Sequence, residues 1–265
     1  WLLAERGMAV DWTALTLFLL ITGRMTGCVA FNPIFGRRGI PAMVKAGFIL
    51  LLSVSVFAIT PVRMEMPSTL LGLVLTFLLE MFLGYVLGLV ISLFFYVPMM
   101  AGAVIDAQMG MSMGATYDPA SGAQITVTST FLNILMTMLF FAANGHHTLI
   151  RIFAASGRVV PFGAVALGTD LYAAVIELFI SCTILGVKLC MPILAAEMMG
   201  QVGMGILMKV IPQINVFVIN IDLKVLIGMG LLLLLLSPFS EFLLDVENEM
   251  LLSLQRVLPL MSGQT

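Results

Sequence analysis

Apolar residues run through this chain in long blocks, at about 12–35, 46–61, 68–97, 125–143, 171–196 and 222–239. Blocks of this length, without strict alternation, predict helices, and the fold class is all-α. Charges and turn formers gather between them: GRRGIPAMVK at 36–45, PVRMEMP at 61–67 and NGHHTLIR at 144–151. The blocks are uneven as membrane spans. The second has about 15 residues and the third about 30, against the roughly 20 that one crossing needs. Such lengths suit a protein covered largely by neighbouring subunits rather than lipid. The pattern changes at 240–258, where Ser240 is predicted to cap a helix with Glu241 in its first turn. Phe242, Val246, Met250, Leu254 and Val257 form an apolar stripe, predicting an amphipathic helix for a membrane surface or a partner groove.

The third block has an internal order. Gly72, Thr76, Glu80, Gly84, Gly88 and Ser92 recur every four residues, a spiralling ridge along which a second helix can approach closely. Glu80 sits on that ridge and should face protein or a pore, because a carboxylate in an apolar helix needs a partner or water. A structural role is favoured for it. The fifth block carries Glu177 and Lys188, about 16 Å apart along a helix axis and so unable to pair with each other. By sign alone, Lys188 is matched with Glu80, and Glu177 with Arg24. Pro192 is expected to kink or end that helix.

Between the third and fourth blocks lies PMMAGAVIDAQMGMSMGATYDPASG at 98–122, with five methionines, four glycines, two aspartates and no lysine or arginine. Glycine permits tight bends, and methionine packs adaptably against changing partners. The combination suits a compliant seal; a connecting loop packed on its own helices is the plainer alternative. GMSMG at 110–114 also matches the G-x-S-x-G nucleophile elbow around Ser112, with Asp118 and then His146 and His147 downstream. That motif needs a strand-to-helix turn in an α/β sheet, whereas the flanks here read as helices.

Of 265 residues, 61% are hydrophobic and 10% charged, with mean hydropathy +1.13. Soluble domains carry about a quarter charged residues, so this is an integral membrane protein or a subunit buried in a membrane assembly. A net charge of −2 without a basic stripe excludes nucleic acid as a partner. Cys28, Cys182 and Cys190 lie in apolar blocks and read as small buried hydrophobes. Adjacent His146 and His147 point about 100° apart on a helix and cannot share one metal, so neither metal nor cofactor is expected. No cleavable signal peptide is expected, and lysine and arginine fall five against five on alternate loops, leaving orientation open.

Short motifs in ordered succession carry a resemblance. They are Pro33 with GIP at 39–41 and Lys45, AGAVIDAQMG at 101–110, YDPAS at 117–121, NGH at 144–146 and PQINVF at 212–217. Together the chain resembles the FliR/SctT family of type III export-gate subunits over nearly its whole length, as a single domain over 1–265. The NGH and DPAS pieces look flagellar, with the injectisome branch as the alternative. The resemblance implies tilted helical hairpins joined with FliP-like, FliQ-like and FlhB-like subunits in the inner membrane. It implies an entry pore for unfolded exported proteins in the flagellar basal body, with lipid contact. It also implies a lumenal plug near 101–122, with Met109, Met111, Met113 and Tyr117 as closing side chains. Gly110 and Gly114 would let the plug fold, and Asp106, Asp118 and Pro119 would shape it. Glu80, Gly84, Gly88, Glu177, Lys188, Pro212 and Gln213 are taken as assembly positions. Flagellar members typically have aromatic residues in this loop where this chain has Met113 and Ala115, which implies a softer plug.

The function expected is conduction without chemistry, powered by partners or the proton gradient. A secondary transporter is the first rival and would need an inverted repeat with ionisable residues at mid-span; neither is evident. An intramembrane serine hydrolase using Ser112 is the second.

Overall fold

The computed structural model describes residues 11–37, 39–61, 69–111, 116–118, 123–166, 168–210 and 216–262. The described residues form helices α1 (Trp12–Ala30), α2 (Ala42–Ile59), α3 (Leu70–Met109), α4 (Val127–Ala142), α5 (Gly145–Val159), α6 (Thr169–Val210), α7 (Val216–Leu234) and α8 (Leu236–Val257). A 3-10 turn, Pro259–Met261, follows α8. Between α3 and α4 stands a two-stranded antiparallel hairpin, β1 (Thr116–Asp118) with β2 (Ala123–Ile125), pairing Thr116 with Ile125 and Asp118 with Ala123. Among the described residues, four helices are long and apolar enough to cross a membrane, or up to six spans if two bent pairs each count as one. The chain is an all-α integral membrane protein, and the hairpin is a small insert in it.

Two helices are longer than the apolar blocks predict. The α3 helix has 40 residues and passes through Pro98, so 98–109 is helix rather than loop. The α6 helix has 42 residues, passes through Pro192 and takes in the Met- and Gly-rich piece from 198 to 210. A proline deletes one backbone hydrogen bond, a loss that a helix held on both sides of it can absorb. At about 1.5 Å per residue each helix is roughly 60 Å long, twice a bilayer's hydrocarbon core.

The chain divides into two compact units. One is formed by the described residues through Ser92, by His147–Val175 and by the residues from Leu252 onward; the other by Leu93–His146 and Ile176–Leu251. In the first, the Asp11 side chain caps α1 by accepting from the backbone N–H groups of Thr13 and Ala14 at 3.1 and 3.3 Å. The second helix on the glycine ridge is α1. A side chain at Gly84 would run into the backbone of Arg24 and Cys28, and one at Gly27 into the carbonyl of Met81. The two backbones therefore touch, and only hydrogen in place of Cβ allows it. Ser92 completes the seam, its Oγ donating to the Phe31 carbonyl at 3.4 Å.

The NGHHTLIR separator begins a helix. Asn144 takes a left-handed φ of 59°, ending α4, and α5 starts at Gly145. Leu149, Ile152, Phe153 and Ser156 recur at helical spacing and are buried. The α8 helix begins at Leu236, so Ser240 lies inside it, its Oγ donating back to the Leu236 carbonyl at 2.8 Å rather than capping. Its apolar stripe is covered by the chain itself. Leu243, Val246, Met250, Leu254 and Val257 are buried, with Leu243 in the place expected for Phe242, so the stripe is not open to a membrane surface.

Candidate functional site

Two constellations gather several of the candidate residues. The first, in the first unit, centres on Glu80. Its Oε2 accepts from Arg24 Nε at 2.6 Å, and its Oε1 accepts from the backbone N–H of Gly163 at 2.7 Å. Arg24 Nη1 donates to the Val160 carbonyl at 2.9 Å and to Ser156 Oγ at 3.3 Å, and the guanidinium lies over the Phe162 ring at 4.2 Å. Neither charged side chain is exposed. Both oxygens of the carboxylate are engaged, and the guanidinium fork ties α1 to α3 and to the segment after α5. Glu80 therefore pairs with Arg24, not with Lys188, and Arg24 is not the partner of Glu177. Glu177 and Lys188 are both exposed on α6. Matching charges by sign failed because the register of α1 on α3, set by Gly27 against Gly84, brings Arg24 to Glu80.

The second constellation is the root of the Met-rich loop, in the second unit. Asp106 is 1% exposed on α3. Its Oδ2 accepts from the backbone N–H of Thr128 at 2.8 Å, and its Oδ1 accepts from the Thr128 hydroxyl. Thr128 stands in the first turn of α4, so the carboxylate satisfies an otherwise orphaned helix N–H and complements the helix dipole. Beside it Ser129 Oγ donates to the Met99 carbonyl at 2.7 Å, and Gly102 lies so close to Ser129 that a side chain there would strike backbone. Helices α3 and α4 are thus pinned together where the loop leaves and returns.

The loop departs at Gly110, whose φ of 76° breaks the helix and favours glycine. It returns through the β1–β2 ladder, which contains Tyr117 and Asp118 in β1. Met111 is half-buried just past the break. Met109 is fully buried, its thioether seated where a Gly228 side chain would be on α7. Met100 fills the corresponding notch at Gly186 of α6. Flexible methionines thus pack into glycine gaps, and Met109 is an anchor of the stem. Ser112, Met113, Gly114, Pro119, Pro212 and Gln213 lie outside the described residues.

The segment before Ser112 is the α3 helix, not the strand that a nucleophile elbow requires. Ser112→Ala is therefore expected to leave function unchanged, checked by cell motility at equal protein level. Lost export with normal accumulation would restore the hydrolase reading.

Sequence reasoning did not find three further residues. Thr128 is the partner of Asp106. Glu247 of α8 is 2% exposed, and its carboxylate lies against Gly145, where a side chain would collide with it. Glu197 of α6 is 1% exposed. For Glu197 the available signal was a single acidic residue in apolar surroundings, whereas Glu247 was masked by its acidic neighbours Asp245 and Glu249. For the loop root, Asp106→Ala is expected to lower stability by roughly 1–3 kcal/mol, because it leaves a buried N–H and hydroxyl unpaired. Thermal unfolding of the purified protein measures this, and Asp106→Asn, which keeps an acceptor, should recover part of the loss.

Residues 15–250 match the family model described as "Bacterial export proteins, family 1". The chain is 28% identical over 213 residues to the flagellar biosynthetic protein FliR of Bacillus subtilis, covering 78% of this chain and 81% of that one. It is 28% identical over 210 residues to FliR of Pectobacterium carotovorum, covering 79% of each. With FliR of Escherichia coli K12 the identity is 26% over 219 residues, covering 81% of each. A match running from the first helix into the last, with relatives of one name spanning four-fifths of both chains, places this protein in bacterial export protein family 1, the FliR family.

Proposed function

We propose that this chain is a non-enzymatic subunit of the flagellar export apparatus in the bacterial inner membrane, where it helps form and seal the pore for unfolded flagellar subunits. The relatives' names supply the apparatus. The observation that carries the sealing role is the pinned root of the loop at 110–126, whose sequence continues with Met111 and Met113. Asp106–Thr128, Ser129–Met99 and the buried Met109 fix its two ends, and the β1–β2 ladder stiffens its return. A short adaptable apolar segment on such a base can close around nothing or around a passing chain, and can exclude ions by keeping water out.

The partners proposed are FliP-like, FliQ-like and FlhB-like subunits. Large apolar side chains are exposed along α2 (Met43, Leu51, Val54) and α6 (Ile176, Phe179, Met199, Val202), on a chain whose longest helices exceed a membrane's thickness. Exposed Glu177 and Lys188 on α6 are poorly suited to lipid and better suited to polar groups on a neighbouring subunit. The isolated chain is therefore expected to be unstable in detergent and to be stabilised by co-expressed partners. Native mass spectrometry after mild solubilisation tests the whole reading. Companion export-gate subunits are the expected result, and a robust lone monomer or homodimer would argue for transport instead.

A further inference from the structure

We propose that Glu197 is a proton-binding site whose occupancy sets how firmly the stem of the 110–126 loop is held, an inference that rests on reading that loop as the seal. Glu197 lies on α6 with 1% exposure, and neither carboxylate oxygen has a hydrogen-bond partner among the described residues. It stands at the seat of Met109. A side chain at Gly228 would meet both the Met109 thioether and Glu197 Oε1. An ionised carboxylate with no partner in such surroundings is expensive, and a neutral carboxyl far less so.

The charges around it leave one candidate for the ionised state. On α7, Lys224 is the cation acting on Glu197; it precedes Gly228 by one helical turn and so shares its face, while Asp222 is exposed. On α3, Asp106 is committed to Thr128. On α6 itself, Lys188 and Lys209 are exposed. On α8, Glu247 lies against Gly145, and Glu249 acts on Cys182.

With the proton bound, the carboxyl is neutral and Met109 stays in the Gly228 notch. When the proton leaves to water, the carboxylate turns toward Lys224. Water follows the charge, the notch is wetted and the stem of the loop loosens. One proton moves, and it can shift the equilibrium only because the two stem positions hold it with different affinity.

Two readouts on the full membrane complex test this. In an infrared pH titration, a protonated-carboxyl band is expected that disappears in Glu197→Gln. In planar bilayers, ion conductance of the parent should rise as pH is raised, by at most about tenfold per unit for one proton. Glu197→Gln should stay tight and lose the pH dependence, Glu197→Asp should keep it, and Lys224→Met should move the transition to higher pH. If Glu197→Gln does not assemble, the Lys224→Met shift carries the test. A glutamine variant with the parent's pH profile, or with no carboxyl band lost, overturns the proposal. A band lost on substitution, with conductance indifferent both to Glu197 and to the loop methionines, instead overturns the seal reading and the coupling built on it.

Discussion

Glu80→Ala is expected to remove most of the folded protein from the membrane before any effect on export can be read. The substitution leaves Arg24 charged at 0% exposure, with Phe162 over its face and, among the described residues, a carbonyl and a hydroxyl as its remaining acceptors. Breaking a buried pair by deleting one partner costs about 3–5 kcal/mol, a large fraction of ordinary domain stability. The Gly163 N–H loses its acceptor as well. Arg24→Lys should also be damaging, because an ammonium cannot reproduce the fork that reaches Glu80, Ser156 and Val160 together. The informative variant is the double change Arg24→Met with Glu80→Leu. Removing both charges takes away the attraction and both desolvation costs together, so this variant should accumulate better than either single change. Quantitative blotting of membranes, followed by thermal unfolding of whatever purifies, measures the order. A Glu80→Ala protein as abundant and as stable as the parent would mean that the pair is not structural.

The same cluster shows what the sequence made legible. The ridge of small residues on α3 was readable because the helical period alone sets residues four apart into rows; which helix met the ridge was not. That depended on Gly27, a single glycine whose significance appears only once the α1 and α3 backbones touch. Neither long helix ends at its proline. Pro192 was expected to kink or end its helix, and the loop was read as starting at Pro98, yet both helices continue through these positions. The segment at 144–151 failed in the opposite way. Its polar residues read as a separator, although Leu149, Ile152 and Phe153 already had the spacing of a buried helix face. The loop was legible in composition and opaque in geometry. Methionine and glycine said that it could be compliant, but not that Met109 would be seated against Gly228 while Met111 stands past the break.

That division between Met109 and the methionines beyond Gly110 separates two outcomes within the seal. Replacing Met111 and Met113 by glycine should leave the assembly formed and make it leak small ions. Each methionine withdrawn from an apolar seal forfeits about 1.5–3 kcal/mol of burial, enough for the pair to move a closed state substantially toward open. Glycine in their place also lets water wet the constriction, and ions follow water. Met109→Gly should behave differently. Its side chain is fully buried against α7, so the change leaves a cavity and costs about 2–5 kcal/mol of stability, lowering the yield of complex. The comparison is ion conductance across membranes containing each variant complex, beside the amount of complex recovered. A Met111→Gly, Met113→Gly protein that assembles fully and stays as tight as the parent would show that closure lies elsewhere. Whatever Met109→Gly complex still assembles should leak as well, because the stem has lost its seat at Gly228; a tight, fully recovered Met109→Gly complex would show that the notch does not hold the stem. The first change spares every contact found at the root of the loop, so a leak from it reports on the tip, and the Asp106–Thr128 clamp should hold the base in place while it happens.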